Sequence, residues 1–159
     1  MPQSPTAHDP NDIQEFNLDA VVGILQDEKL DYRIDEHDGE KVIRTGFINA
    51  AISFILLDGS LTMEAMWRGA PSTDAAAQVL AATNEWNLTQ FAPTIRFFEL
   101  NEGTLAINAL RHVVVSAGMS HNQVGSYVMS SIESAVQCFE WLEQQFPDLV
   151  TWKDEHHDH

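Results

Sequence analysis

The sequence predicts an α+β fold in which an antiparallel sheet carries helices on one face. Three observations support this prediction. The segment Leu61–Arg68 alternates between two sets of side chains, as a half-buried antiparallel strand does. Asp58-Gly59 is a strong two-residue hairpin signal, because both residues tolerate positive φ. The segment 120–146 repeats apolar residues with a helical period and begins with a capping box formed by Ser120 and Gln123.

The predicted element order is α-β-β-β(-β)-α-β-β-α. The first helix is expected to begin at Asn17, whose side chain can accept the free amides of the first turn. The expected strands are Tyr32–Glu36, Lys41–Phe47, Ala51–Leu57, Leu61–Arg68, Thr94–Leu100 and Thr104–Val115. A second helix opens at Pro71-Ser72. Its expected inward stripe comprises Ala76, Val79, Leu80, Thr83 and Trp86/Asn87.

The end of the last helix is set by Pro147, which cannot continue a helix. Beyond it, the apolar residues Phe146, Leu149 and Trp152 are expected to fold back onto the core. Residues 1–15 hold three prolines among polar residues and are predicted to be a flexible tail. Residues 153–159 are predicted to be a second, acidic and histidine-rich tail. A single domain is therefore expected to cover residues 16–152.

Charge excludes several classes of function. The chain of 159 residues carries 24 acidic and 8 basic residues, for a formal net charge of −16. A charge of that sign repels phosphates and anionic lipid head groups, so we expect neither nucleic-acid nor membrane binding. The sequence shows no secretory signal and no apolar stretch of the ~20 residues that span a bilayer, so the predicted location is the cytoplasm. Cys138, the one cysteine, excludes a disulfide within the chain.

Several motifs carry a resemblance to a known family. Asn84-Glu85-Trp86-Asn87 ends the second helix and is followed by Pro93 and a strand–turn–strand; Gly118-Met119-Ser120 then precedes the long helix that ends in Phe146-Pro147. In this order the chain resembles the YbjN family of bacterial proteins, over nearly all of residues 16–150. The resemblance implies a fold similar to that of type III secretion chaperones. It also implies a small, dimeric, non-enzymatic protein of the kind described as a sensory-transduction regulator.

Candidate metal sites are weak. Glu155-His156-His157-Asp158-His159 offers imidazoles and carboxylates, but on a terminal segment without a surrounding shell to orient them. The run Asp35-Glu36-His37-Asp38-Gly39 resembles a calcium loop only superficially. With Gly39 at the sixth loop position, Ile34 and Thr45 would occupy the first and twelfth positions, where carboxylates are required. A charged hairpin turn is the better interpretation, and no metal or cofactor is predicted.

Candidate catalytic residues are equally scarce. Gly125-Ser126 lies inside a helical pattern and is no nucleophile elbow. Cys138 lies beside the apolar stripe of the last helix, where a buried small hydrophobe is expected rather than a nucleophile. His112 falls in a strand between apolar neighbours and is expected at the sheet surface. The sequence therefore predicts no catalytic residue and no enzyme.

Apolar residues that the sheet leaves over predict a protein-binding surface. Met66 and Phe98 alternate with Trp67 and Phe97, so they fall on the face away from the helices. A second copy of the chain or a partner segment could cover them; a bulge or register slip that buries them is the alternative. Trp86 either binds a partner or packs the helix end on the sheet, with a neighbouring Asn as its cap. The predicted partner-binding residues are Met66, Trp67, Trp86 and Phe98.

The predicted function is therefore a chaperone-like or regulatory protein-interaction module. We expect it to form a homodimer and to bind a partner protein through apolar surface, without a cofactor. The alternative is a regulator that responds to a small ligand or a metal.

Overall fold

The helices and strands follow one another in the predicted order. The fourth strand of the first group, which the prediction set in brackets, is present. The structure, a computed structural model, describes residues 9–152. Its helices are α1 (Asp19–Asp27), α2 (Ala76–Thr89) and α3 (His121–Gln145), and its strands are β1 (Arg33–His37), β2 (Glu40–Phe47), β3 (Ala50–Leu57), β4 (Ser60–Trp67), β5 (Thr94–Asn101) and β6 (Thr104–Val114). The predicted α+β class is confirmed.

The six strands form one antiparallel sheet in the order β1-β2-β3-β4-β6-β5. Tight turns set the register of the hairpins. Asp58 and Gly59 have φ values of 52° and 77°, and Asp38 and Gly39 have values of 51° and 81°. Both pairs fit the left-handed turn that matches the twist of a two-residue hairpin, so the Asp58-Gly59 prediction is confirmed.

The three helices cover one face of the sheet. α3 begins with the predicted capping box: the Ser120 hydroxyl accepts from the Gln123 amide, and the Gln123 side chain accepts from the Ser120 amide. Alternate residues of β4 point into the core beneath the helices, where Leu61, Met63 and Ala65 are fully buried. The other residues of β4 point to the opposite face, which we call the open face because none of the described helices packs on it.

The chain after α3 folds back onto the core, as predicted. Trp152 is 1% exposed and meets Trp67 edge-on, with ring centroids 6.1 Å apart. Phe146 packs on the other side of Trp67, at 6.3 Å. This cluster of rings anchors the C-terminal end of the described chain on the helix-covered side of the sheet.

Two local predictions were wrong. α1 begins at Asp19 rather than Asn17, although the Asn17 side chain does accept the Asp19 amide. Leu80 of α2 is 49% exposed, and Ala82 takes its place in the buried stripe. Leu80 directly follows the buried Val79 and so lies about 100° around the helix from it, outside the stripe that contains Val79, Thr83 and Trp86.

The predicted N-terminal tail is attached to the domain in its described part. Gln14 and Met119 exchange two backbone hydrogen bonds of 3.1 and 2.9 Å, and the Asn122 amide donates to the Pro10 carbonyl at 3.0 Å. The backbone makes this contact, and Ile13, the large apolar residue of the segment 9–15, is 57% exposed. The rest of the predicted tail, residues 1–8, lies outside the described residues, and so does the predicted C-terminal tail 153–159.

Within the described chain, no helix is both long enough and apolar enough to cross a bilayer.

Candidate functional site

The described helices leave the open face of the sheet without a covering layer. The strand register determines which side chains share it. Met66 of β4 lies between Ala51 of β3 and Asn108 of β6, and Arg96 of β5 follows on the far side of Asn108. Two residues after Arg96 on β5, Phe98 is paired with Ala106. All these side chains therefore point away from the helices.

Apolar side chains are spread over the open face among polar ones. They are Val42, Ile55, Met66 and Leu110 across the four inner strands, with Phe98 on the outer strand β5. Val42 is 3% exposed and Phe98 is 37% exposed, while Ile55, Met66 and Leu110 are partly exposed. A sheet face that is fully solvated usually carries polar residues at such positions. The composition of this face is therefore intermediate between a core and a wet surface.

An ion cluster borders the apolar residues on the side of β1. The Asp35 carboxylate accepts hydrogen bonds from the Nε of Arg33 at 2.9 Å and from the Nε of Arg44 at 2.8 Å. Nη1 of Arg44 also donates to the hydroxyl of Ser53 at 3.0 Å. The polar groups of β1, β2 and β3 thus satisfy one another along the sheet.

A second cluster joins β4, β6 and β5, and its Glu64 is paired with Ser53 of the first cluster. The Asn108 side chain accepts from the Nε of Arg96 at 3.0 Å and donates to the Glu64 carboxylate at 3.3 Å. Arg96 lies 3.7 Å from the same carboxylate. Asn108 is 1% exposed, so it carries this link almost out of contact with water.

The open face is electrically neutral, whereas the chain is strongly acidic. Within the paired strands it carries three arginines, at 33, 44 and 96, and three carboxylates, at 35, 40 and 64. Arg33, Arg44 and Arg96 are three of the 8 basic residues in a chain of net charge −16. The excess negative charge therefore lies elsewhere on the protein, and another chain can approach this face with little repulsion.

The structure separates the four residues predicted to bind a partner. Met66 and Phe98 lie on the open face, as their alternation predicted. Trp67 is 4% exposed and lies in the core with Phe146 and Trp152. Its prediction as a surface residue was wrong, because the last residues of the chain fold over it.

Trp86 is also a core residue, at 7% exposed. Its indole N–H donates to the Pro93 carbonyl at 2.8 Å, and its ring packs against Trp141 of α3 at 5.4 Å. This environment agrees with the structural interpretation, in which Trp86 packs the helix end on the sheet. No face of its ring is free for a partner. Met63 and Phe97 likewise point to the helix-covered side, Met63 with no exposed surface.

The neighbouring residue of the same motif has a role that sequence reasoning missed. The predicted Asn cap at the end of α2 is absent at Asn87. Instead, its amide donates to the Ile95 carbonyl at 2.8 Å and accepts from the Ile95 N–H at 2.9 Å. In an antiparallel strand both groups of one residue point to the same side, so Asn87 occupies a pairing position on the outer edge of β5.

The titratable residues that the sequence analysis considered lie in the core, at the sheet surface and in a hairpin turn. Burial raises the pKa of the Cys138 thiol, which has no exposed surface and packs in the core of α3. His112 is exposed at the sheet surface. Asp38-Gly39 forms a hairpin turn, as expected for that acidic run. Between residues 9 and 152, no three His, Cys, Asp or Glu side chains are grouped as metal ligands. The histidine-rich segment 155–159 lies outside the described residues.

Comparison with solved structures supports the fold. The crystal structure of YbjN from E. coli, described as "a putative transcription regulator", superimposes with a TM-score of 0.66 at 14% sequence identity, covering 80% of this chain and 92% of that one. An uncharacterised protein from Methanothermobacter thermautotrophicus matches with a TM-score of 0.54 at 12% identity, over 81% of this chain and 98% of that one. At such identities the likeness concerns the fold alone.

The sequence itself matches a family. No curated protein matches this chain. The model of the YbjN family, described as "Putative bacterial sensory transduction regulator", matches residues 17–144, which include α1, all six strands and nearly all of α3. The match confirms the resemblance drawn from the Asn-x-Trp-Asn and Phe-Pro motifs, and the chain belongs to the YbjN family.

Proposed function

We propose that this protein is a non-enzymatic regulator that acts by binding a partner protein through the open face of its sheet. The single observation that carries the proposal is the composition of that face. Apolar side chains lie beside two ion clusters whose members bond to one another, and none of the described helices covers this face. The family description as a sensory-transduction regulator agrees with a role of this kind.

The energetics of covering this face are favourable. Removing a large apolar side chain from water contributes on the order of 1.5–3 kcal/mol, less when the side chain is already half-buried. Covering a charged group normally costs free energy, because the group loses water. Here Arg44 and Arg96 already hold protein acceptors, so a partner that covers them leaves few hydrogen bonds unmade.

A second copy of the chain is the occupant that we propose in the absence of the partner. A symmetric dimer uses the same patch twice, and a patch of zero net charge does not repel its own copy. Partner and second copy would then compete for Met66 and Phe98. The chaperone-like character that the family resemblance implies is proposed in the same sense, as shielding of apolar surface on another protein.

The test compares variants of the open face with variants of the helix side. Met66→Glu and Phe98→Glu each replace an apolar side chain of the open face with a carboxylate. Leu80→Glu and Leu88→Glu are matched controls on α2, where the two leucines are 49% and 85% exposed. Each variant is immobilised and exposed to native extract, and retained proteins are identified by mass spectrometry.

We expect one stoichiometric protein to be retained by the unmodified chain and by both α2 variants, and lost from both open-face variants. Amide hydrogen exchange of the purified complex should then show protection at Ile55, Met66 and Leu110. Equal retention by all four variants, or loss from the α2 variants alone, would contradict the proposal. Thermal unfolding of each variant confirms that it is folded.

A second candidate function, regulation by a small ligand, is favoured by one observation: a cleft beside Arg33 and Arg44. It is compatible with the first, because the cleft lies at one border of the open face.

A further inference from the structure

A cleft opens where β1 ends and β2 continues. β1 pairs with β2 only as far as Arg33 and Arg44, so the outer edge of β2 at Gly46 has no strand beside it. The chain that leads into β1 forms the opposite wall, and the Thr45 hydroxyl holds it by donating to the Asp31 carbonyl at 2.7 Å. The resulting space has a volume of about 410 Å³, which lies in the range of small-molecule sites.

The charges at this cleft are unusual for an acidic protein. Arg33 and Arg44 are directly opposite each other on neighbouring strands, and both line the cleft. Like charges at such positions repel, and here they share a single carboxylate, that of Asp35. Asp31 also lines the cleft, but within the described residues neither arginine has an ion pair with it. The four charged side chains at the cleft therefore carry no net charge, and Asp35 is the one carboxylate among the described residues that is paired with the two guanidinium groups.

Arg44 is held in a fixed orientation. Its Nε is bonded to Asp35 and its Nη1 to Ser53, at 2.8 and 3.0 Å. Among the described residues, Nη2 of Arg44 has no hydrogen-bond partner. A guanidinium that is positioned by two bonds can form further bonds without losing much side-chain freedom. The floor beside it is formed by Ala51 and Ile52.

We propose that this cleft binds a small organic monocarboxylate. Its carboxylate would accept hydrogen bonds from Nη2 of Arg44 and from the neighbouring Arg33, of which only Nε is bonded to Asp35. Its apolar part would lie against Ala51. The charge of −16 on the whole chain disfavours a more highly charged ligand such as phosphate. This inference deepens the ligand-responsive candidate function and is independent of partner binding.

The experiment uses benzoate as the probe and benzamide as its neutral counterpart. Both are titrated into the full chain, and amide resonances of Gly46, Ala51 and Ser53 are followed by NMR. We expect saturable shifts with benzoate and none with benzamide. Inorganic phosphate, titrated in the same way, should bind more weakly than benzoate. Absence of saturation with benzoate, equal shifts with benzamide, or tighter binding of phosphate would each overturn the proposal.

Variants locate the binding. Arg44→Gln removes the positioned guanidinium and should weaken benzoate binding about tenfold or more, the effect of losing a charge-assisted hydrogen bond pair. Arg44→Lys keeps the charge without the planar fork. Its affinity for benzoate should lie between those of the unmodified chain and of Arg44→Gln. Arg96→Gln, in the other ion cluster, is the control and should bind benzoate like the unmodified chain. If Arg96→Gln weakens binding as much as Arg44→Gln, the probe responds to overall charge and the site is wrong. Because this readout needs no partner, its failure would leave the partner-binding proposal intact.

Discussion

Asn87 and Ile95 exchange two hydrogen bonds, in which a side-chain amide takes the place of a neighbouring strand. β5 is an outer strand of the sheet, and such strands expose backbone groups that can pair with other chains. Asn87 closes this edge at one position, while Trp86 beside it fixes the end of α2 through its bond to Pro93. The segment Asn84-Glu85-Trp86-Asn87 thus joins a helix to the edge of a sheet.

Replacing Asn87 should therefore lower stability. Asn87→Ala leaves the N–H and C=O of Ile95 without their partner, and we expect a loss of about 1–3 kcal/mol in the free energy of unfolding. Asn87→Asp keeps the acceptor but places a carboxylate oxygen against the Ile95 carbonyl, so it should also be destabilising. Urea unfolding measures both. Asn84→Ala is the control, because Asn84 is exposed on the same helix; an equal loss in that variant would remove the special role of Asn87.

Gly59 should not tolerate a side chain. Its φ of 77° is unfavourable for other residues, and an added Cβ would lie 3.1 Å from the Cβ of Ser116. We expect Gly59→Val to cost about 1–2 kcal/mol or more and to lower the melting temperature clearly. Gly23→Ala in α1 is the matched control, since nothing lies within 4 Å of the new Cβ. That change should raise stability slightly, because alanine favours helices. An unchanged melting temperature for Gly59→Val would contradict the turn assignment.

A homodimer formed through the open face should tighten as salt is added. Two chains of net charge −16 repel each other, and salt screens this repulsion. The contact surface itself is neutral and apolar, so salt weakens it little. Sedimentation or light scattering across a salt series measures the mass. Phe98→Glu should shift the chain to monomer at all salt concentrations, whereas Leu88→Glu should not. A monomer at every salt concentration would exclude the dimer.

Removal of residues 153–159 should leave the domain folded, because this segment contains no apolar residue that could anchor it. Trp152, the residue before it, should be indispensable. Trp152→Ala removes a side chain that is 1% exposed, and we expect a loss of about 3–5 kcal/mol. Circular dichroism and thermal unfolding of the truncated chain and of Trp152→Ala check both statements. Unfolding of the truncated chain would show that the removed segment contributes to the fold.

Alkaline pH should destabilise the protein partly through Tyr127. Burial raises the pKa of this phenol above its ordinary value of 10.0, and its hydroxyl donates to the Arg111 carbonyl at 2.7 Å. The contribution of Tyr127 is therefore fully present below pH 10, where the unfolded chain is also protonated. It is lost as the pH rises through the folded-state pKa, because only the unfolded chain ionises readily.

Tyr127→Phe should accordingly be less stable at neutral pH, by about 1 kcal/mol for the lost hydrogen bond, but should lose less stability above pH ~10. Urea unfolding at a series of pH values gives the pH dependence of the free energy of unfolding for Tyr127→Phe and for the unmodified chain. Tyr32→Phe is the control, because its hydroxyl bonds with the Gln26 side chain at the surface. Parallel pH profiles for Tyr127→Phe and the unmodified chain would contradict this assignment.

The fold was predictable because local signals agree with one another. Alternation in β4, the Asp58-Gly59 turn and the capping box at Ser120 each specify an element within a few residues. They also place Met66 and Trp67 on opposite faces, which the structure confirms. The sequence does not show which parts of the chain cover a face. Trp67 is buried by Trp152, and Trp86 by Trp141, across separations that no local pattern spans.

The ion clusters of the candidate site depend on register rather than on motifs. The β1–β2 turn at Asp38-Gly39 is visible in the sequence, and counting back from it places Arg33 opposite Arg44. That signal could have located the first cluster. The second joins Glu64, Asn108 and Arg96 across three strands, and β6 reaches its place beside β4 only after α2 intervenes. Its arrangement therefore required the three-dimensional structure.

Both ends of the described chain lie on the helix-covered side of the sheet, which has a practical use. The segment near Gln14 runs beside the start of α3, and Trp152 packs with Trp67 beneath the helices. A surface-coupling tag or a fluorophore can therefore be attached to either terminus. It is then joined to the domain at a point away from Met66 and the other apolar residues of the open face. Biosensor and energy-transfer measurements can present the protein in a defined orientation, with its partner-binding side directed toward the solution.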